Sequence, residues 1–247
     1  MATARALMLL MLACSVPWIS GCGAPDDSGE AAGWLNETEG YVLVFSPPEP
    51  DGFTAAFSDH PVLPASTTRE RIGACEVIRY PSTSSDPAQL ISAGTVRVVS
   101  PRGECASERS DDGSYDCTAT SLFESGDSIR VEASGGDVPP FAVELTVPEL
   151  PSDIRTMEAA NGDLVLSWSG GSGWASASAG NMEGTDMVLV ECRVEASAGT
   201  LTVPSSVRTM LGGFPVSLVF QERRIVNAGG RRVHVDVSAY NVQRSDG

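Results

Sequence analysis

The chain has 247 residues and a formal net charge of −16, from 32 acidic and 16 basic residues. Affinity for nucleic acid comes largely from neutralising phosphates with basic side chains, so this acidity argues against a nucleic-acid partner. All the basic residues are arginine, which excludes a lysine Schiff base and a P-loop. The length allows one or two domains.

An apolar run follows Arg5 and covers residues 6–19. It is shorter than the roughly 20 apolar residues of a membrane-spanning helix, and its preceding positive charge is typical of a signal peptide. The run ends with the four residues Ile19, Ser20, Gly21 and Cys22. This segment resembles a lipobox, which implies acylation of the Cys22 thiol and cleavage after Gly21. We therefore predict a signal peptide over residues 1–21 and a lipid-bearing Cys22, with an ordinary secretory peptide as the alternative.

The residue after Cys22 is Gly23 rather than aspartate. By resemblance to sorted lipoproteins, this favours the outer membrane over the inner membrane. Several acyl chains, at about 0.8 kcal/mol per buried methylene, give a stable anchor. Residues 22–40 contain acids and no base, and we predict a flexible tether that reaches roughly 20–25 Å. Trp34 and Leu35 stand out in it as an apolar pair that could dock on the folded body.

Four cysteines remain beyond residue 22, and they are Cys75, Cys105, Cys117 and Cys192. An exported chain meets an oxidising compartment, so disulfides are expected, and four cysteines allow three connectivities. We favour Cys105 with Cys117, because that bridge closes a loop rich in serine, aspartate and glycine. Cys75 and Cys192 are then buried free thiols or a second bridge. A zinc site is the rival interpretation, although the spacing lacks a CxxC pair.

Short segments from Tyr41 onward alternate apolar and polar residues, as in residues 141–147, with glycine and proline between them. Period-two alternation predicts strands with one buried face and one wet face. Two prolines in residues 148–151 predict a stiff joint. We therefore predict an all-β fold with two consecutive antiparallel β-sandwich domains, over residues 41–148 and 149–247. Residues 205–211 predict one or two helical turns.

Two segments of the second half stand out, residues 163–171, which contain Trp168, and residues 233–241. Through them, the second half resembles a fibronectin type III-like or immunoglobulin-like sandwich. This resemblance implies that Trp168 lies in the domain core. The whole chain is also similar to uncharacterised secreted lipoproteins of high-GC Gram-negative bacteria, through residues 126–135. That second resemblance bears only on the architecture of the chain and implies no activity.

Catalytic signatures are sparse in this chain. His60 lies in a predicted turn, and His234 is expected on the wet face of a strand. There is no G-x-S-x-G or H-E-x-x-H sequence, so we predict no catalytic residue, no metal ligand and no cofactor. Asp111 and Asp112 lie in a loop without EF-hand spacing, and a looser calcium site from loop acids stays open.

Four arginines flank residues 227–230 and form the one basic concentration, which consists of Arg223, Arg224, Arg231 and Arg232. If these residues form a hairpin, the arginines crowd its tip. They could bind a phosphate, a carboxylate or an anionic saccharide. The alternative is pairing with nearby acids or protection of a strand edge.

These patterns favour one function without settling it. We predict a membrane-anchored, non-catalytic β-sandwich module that acts in binding, adhesion or spacing, with a protein or glycan partner. The alternative is a periplasmic or surface hydrolase with a loop-borne site. The fold does not separate the two, because sandwiches carry many functions.

Overall fold

The computed structural model describes residues 38–45, 51–61, 63, 66–82, 88–211 and 216–240. The predicted signal peptide, Cys22 and most of the predicted tether lie outside these ranges. The tether was predicted to end at residue 40, but the first strand already begins at Thr38. No helix among the described residues has the length and apolarity needed to cross a membrane.

The described residues confirm the all-β class. They form sixteen strands, a 3-10 turn at Ala196–Ala198 and one helix, α1, at Ser205–Met210, where helical turns were predicted. The strands are β1 Thr38–Phe45, β2 Asp51–Phe57, β3 Thr68–Ile72, β4 Cys75–Pro81, β5 Val96–Ser100, β6 Gly103–Ser107, β7 Tyr115–Ala119, β8 Ser128–Ala133, β9 Phe141–Thr146, β10 Ser152–Glu158, β11 Leu164–Ser169, β12 Trp174–Glu183, β13 Asp186–Glu195, β14 Thr200–Val203, β15 Ser217–Ala228 and β16 Arg231–Tyr240.

The strands assemble into one large sheet and two small ones. The large sheet has nine strands in the order β3-β4-β13-β12-β15-β16-β1-β2-β7. The small sheets have the orders β6-β5-β8-β9 and β10-β11-β14. Neighbours are antiparallel except β1 and β16, which pair in parallel, so the predicted antiparallel pattern fails at that one pair.

Both small sheets pack on the same face of the nine-stranded sheet. On β15, Leu218 and Phe220 belong to a hydrophobic cluster under the three-stranded sheet, whereas Ala228 belongs to a second cluster under the four-stranded sheet. Alternate residues of a strand share a face, so both cores lie on the same side of β15. Between them, Glu222 and the exposed Arg224 form an ion pair of 2.6 Å.

The predicted boundary at residues 148/149 does not coincide with a break in strand pairing. β4 pairs with β13, and β1 pairs with β16. As a result, Val77 packs in the core that belongs mainly to the second half, and Val235 packs in the core of the first half. Alternation identifies a strand but not its partner, so the sequence could not reveal these two crossings.

Both disulfides considered from the sequence are present. Cys105–Cys117 joins β6 to β7 and thereby links the four-stranded sheet to the edge of the nine-stranded sheet, with Cα atoms 6.0 Å apart. Cys75–Cys192 joins the neighbouring strands β4 and β13, with Cα atoms 3.8 Å apart. Cys75 and Cys192 are therefore a second bridge rather than free thiols.

Trp168 lies in the second core, as the resemblance to a fibronectin type III-like sandwich implied. Its side chain is 6% exposed, and its indole N–H donates to the carbonyl of Ala196 at 2.7 Å. The ring meets Phe220 edge to face, with centroids 5.5 Å apart. A buried tryptophan needs a partner for its N–H, and the 3-10 turn supplies it.

A polar face on the nine-stranded sheet as the candidate functional site

The arginine-rich segment forms the predicted hairpin. The two-residue turn that joins β15 to β16 consists of Gly229 and Gly230, whose φ angles of 64° and 94° favour glycine. Three of the four arginines contact acids, in the pairs Arg223–Asp236, Arg224–Glu222 and Arg231–Glu39. These three arginines therefore follow the alternative interpretation, in which the arginines pair with nearby acids. Arg232 is half-buried opposite Asn227, and anion binding at the hairpin stays a prediction.

Arg223 belongs to a different feature, on the side of the nine-stranded sheet that faces away from both cores. Odd-numbered residues of β15 point to that side, and their cross-strand partners share it. Partners on β12, β13 and β16 extend the set across four strands. We call this set the polar face; it comprises Trp174, Ser176, Glu191, Arg193, Gln221, Arg223, His234, Asp236 and Ser238.

Much of the polar face is buried. Gln221 and His234 are 0% exposed, and Arg223 and Asp236 are each 1% exposed. Charged side chains are almost never buried to this extent unless they are paired. The expectation that His234 lies on a wet strand face is therefore wrong. Alternation in β16 correctly placed the valines in a core, but the residues on the opposite face are buried as well.

Arg223 and Asp236 form a two-pronged ion pair at the middle of the face. The two residues lie directly opposite each other on β15 and β16. Nε and Nη2 of Arg223 donate to the two carboxylate oxygens, the second at 2.6 Å. The planar guanidinium matches a carboxylate in this geometry, which makes the pair strong and directional.

Burial shifts the titration of the neighbouring groups. It raises the pKa of Asp236 to about 6, against the opposing effect of Arg223. It also raises the pKa of Glu191 to about 7, with Arg223 and Arg193 opposing. Burial lowers the pKa of His234 to about 3, and the positive charge of Arg223 adds to that effect. At neutral pH, His234 is thus an uncharged imidazole.

One end of the polar face carries an amide without partners. Among the described residues, neither Oε1 nor Nε2 of Gln221 has a hydrogen-bond partner. Gln221 lies opposite Trp174 in the sheet register. Trp174 is half-buried, and the guanidinium of Arg193 lies 4.6 Å from its ring centroid. A buried polar group left unpaired costs about 1–3 kcal/mol, so this amide is a feature of the face that stability does not explain.

The remaining sequence candidates, the acidic loop and His60, have local contacts in the structure. Among the described residues, no group of three or more histidine, cysteine or acidic side chains is placed to hold a metal ion. In the loop proposed for calcium, Asp112 accepts hydrogen bonds from the backbone N–H and the hydroxyl of Ser114, at 3.1 and 2.8 Å. That carboxylate thus shapes the loop. His60 lies in a turn, with Nδ1 3.1 Å from the carbonyl of Pro61.

Sequence reasoning missed Gln221, Glu191 and Arg193 as site residues. Glu191 and Arg193 alternate with Val190, Cys192 and Val194, which indicated an ordinary strand with one wet face. The Oγ of Ser176 donates to Oε1 of Glu191 at 2.9 Å, a contact across strands that a single sequence does not encode. Alternating charge has the same period on a buried face as on a wet one, so the strand pattern carried no signal for these residues.

Comparisons with known proteins identify no family. No protein-family model matches the chain, and no curated protein is significantly similar to it. Two solved structures share 12% and 11% sequence identity with it, each at a TM-score of 0.20. The first is a calcium-stabilised adhesin that helps an Antarctic bacterium bind ice; 77% of this chain matches 56% of that one. The second concerns host-cell-surface retention of a 1.5-MDa bacterial ice-binding adhesin; the match covers 78% of this chain and 74% of that one.

Proposed function

We propose that this protein is a non-catalytic β-module that binds a protein or glycan partner at the cell envelope, and that the partner binds at the half-buried Trp174 and reaches Gln221 by local displacement of the residues that bury it. The observation that carries the proposal is the unpartnered amide of Gln221 opposite Trp174. An amide that offers a donor and an acceptor next to an indole suits a ligand with neighbouring hydroxyl or amide groups and an apolar ring or side-chain face.

The state of the ionisable groups supports binding over catalysis. Asp236 is engaged by two nitrogens of Arg223, and His234 is fully buried with a pKa of about 3. A general base works best with a pKa near the operating pH and within reach of its substrate. Glu191, with a pKa of about 7, meets the first condition, but its Oε1 already accepts a hydrogen bond from the hydroxyl of Ser176.

The binding test compares variants of the full chain on arrays of oligosaccharides and peptides. Gln221→Leu and Trp174→Ala should abolish any binding that the parent shows, because they remove the amide and the ring. Met157→Ala is the matched control, since Met157 is 62% exposed on β10, away from the polar face. Loss of binding in the control alone, or equal binding by all variants, would refute the proposed site. Cleavage of an array compound would favour a hydrolase.

We also propose that the module is exported and anchored through lipid on Cys22 at the outer membrane. The two disulfides support export, because such bonds persist in oxidising compartments. Mature protein should partition into detergent and carry acyl mass on Cys22, whereas Cys22→Ser should be soluble or unprocessed. A mature N-terminus that begins at another residue without acyl chains would contradict the anchor but not the binding site.

A further inference from the structure

Two side chains beside Trp174 carry buried polar atoms without a partner. Among the described residues, Nη1 of Arg193 lacks a hydrogen-bond partner, as do both polar atoms of the Gln221 amide. Gln221 lies opposite Trp174 in the sheet register, and the guanidinium of Arg193 lies 4.6 Å from the Trp174 ring centroid. One indole is therefore flanked by two unpaired donor nitrogens and one unpaired acceptor oxygen.

Two acids close to Arg193 are already engaged by other residues. Glu76 accepts a hydrogen bond from Nη1 of Arg69 at 3.0 Å, and Oε1 of Glu191 accepts the hydroxyl of Ser176 at 2.9 Å. The pKa of Glu191 is about 7, so its carboxyl is only partly ionised at neutral pH. The guanidinium of an arginine stays charged in proteins. Arg193 thus presents a positive charge whose Nη1 still needs an acceptor.

Two further acids nearby do not supply that acceptor. Asp236 is held by two nitrogens of Arg223. Glu195 lies opposite Trp174 on β13, but it is exposed, and it accepts the hydroxyl of Ser197 at 3.4 Å. Water strongly weakens the interaction of an exposed charge with its neighbours. An anionic group that enters beside the indole would therefore meet a cation with a vacant donor.

On the basis of the proposed function, on which this inference rests, we infer that the partner is a saccharide with a carboxylate, such as a uronic acid. Arg193 and Gln221 form its subsite beside Trp174. The two unpaired donors need acceptors, and Oε1 of Gln221 needs a donor. An ionised carboxylate alone offers only acceptors. A sugar acid offers acceptors in its carboxylate and donors in its neighbouring hydroxyls, so it satisfies all three atoms.

The same count disfavours an acidic peptide. A glutamate or aspartate side chain supplies acceptors only, and a separate peptide group would have to donate to Oε1 of Gln221. In a sugar acid, the hydroxyls and the carboxylate lie on one ring, whose apolar face can pack on an aromatic side chain, as in other ligand sites.

The ligand enters where the site is open to solvent. Trp174 and Arg193 are half-buried, whereas Gln221 is 0% exposed. The long side chain of Arg193 swings from the ring to meet the carboxylate. This movement uncovers the indole for the sugar ring and opens the way to the amide.

The experiment compares charged and neutral ligands on the full chain. Calorimetric titration uses oligosaccharides of galacturonate, glucuronate and mannuronate, each also in a form whose carboxylates have been reduced to alcohols. At least one acid should bind at least about tenfold more tightly than its reduced form, because reduction removes a charge-assisted hydrogen bond. This comparison uses the parent protein and does not depend on the stability of any variant.

Three variants assign the difference to residues. Arg193→Gln should bring the acid and its reduced form to within about twofold of each other, while Gln221→Leu should weaken both. Arg155→Gln is the matched control, since it removes the same charge from an exposed arginine on β10 and should leave the preference unchanged. Denaturant unfolding verifies that each variant is folded.

The outcomes separate this ligand class from the proposed function. Equal binding of the acid and reduced forms, with loss in Gln221→Leu, would overturn the carboxylate subsite and leave the proposed function standing. Tighter binding of tetraglutamate or inorganic phosphate than of every uronic-acid oligosaccharide would also overturn the sugar acid. If no saccharide and no peptide binds the parent, both proposals fail.

Discussion

Strand β15 carries both faces of the nine-stranded sheet in adjacent residues. Phe220 packs edge to face on Trp168 in an apolar core, whereas Gln221 is equally buried on the other side without a hydrogen-bond partner among the described residues. Apolar burial stabilises the fold by about 25 cal/mol per Å². For a buried ion pair or amide, the cost of removing the polar groups from water offsets most of the interaction energy. The two faces therefore contribute differently, one to stability and the other to specificity or binding.

The largest expected effect lies on the apolar face. Phe220→Ala should lower the free energy of unfolding by about 3–5 kcal/mol, because it removes a fully buried ring and leaves a cavity. Denaturant unfolding measures the loss. Ile225→Ala on the same strand is the control, since Ile225 is 40% exposed and should cost far less. Equal losses in the two variants would contradict the assigned core.

An effect of similar size should follow from breaking the ion pair on the polar face. Asp236→Ala leaves Arg223 charged and buried, and should cost about 3–5 kcal/mol of unfolding free energy. The double variant Arg223→Met with Asp236→Leu should return close to the parent stability, because both desolvation penalties disappear. A double variant as unstable as Asp236→Ala would show that the pair stabilises the fold outright.

The difference between the faces also marks what the sequence could reveal. Alternation in residues 233–239 predicted the strand and its apolar side, and the same pattern around Trp168 predicted a core residue. These inferences rest on local periodicity, which a single sequence contains. The fold class was predictable for the same reason. The favoured Cys105–Cys117 bridge was predictable because it closes a short loop, which is also a local feature of the sequence.

Pairing across the sheet was not predictable. The parallel contact of β1 with β16 joins Val42 to Val235, far apart in sequence, and no period encodes it. The same limit hid the site. His234 and Asp236 have the spacing of a wet strand face, yet both are buried. Charged residues at alternate positions form the same sequence pattern whether that face of the strand is buried or exposed to solvent.

Titration should distinguish the polar face from an ordinary wet face. Burial raises the pKa of Glu191 from 4.5 to about 7, so the folded state holds its proton longer than the unfolded state. That contribution is fully present below about pH 4.5 and is lost as the pH rises through 7. Glu191→Gln replaces the carboxyl by an amide that does not titrate, so the variant does not lose stability at this position as the pH rises. Its unfolding free energy relative to the parent should therefore rise between pH 5 and 8, by up to about 3 kcal/mol.

The control for that titration is Glu158→Gln, which removes an exposed partner of Arg208. Its difference from the parent should stay nearly constant over the same pH range. Unfolding free energies at three or four pH values are sufficient. A flat difference for Glu191→Gln would mean that its carboxyl is solvated and that the polar face is open to water.

The smallest effect is the most informative about function. Gln221→Met replaces an unpartnered amide by an apolar side chain of similar length, and should raise the free energy of unfolding by about 1–2 kcal/mol. The same variant should lose any ligand that the parent binds. Natural proteins keep such costly groups where function needs them. Gln221→Glu is the opposing control, because a buried carboxylate should destabilise the fold. If Gln221→Met is instead less stable than the parent, the amide has a structural partner, and the binding role proposed for it fails.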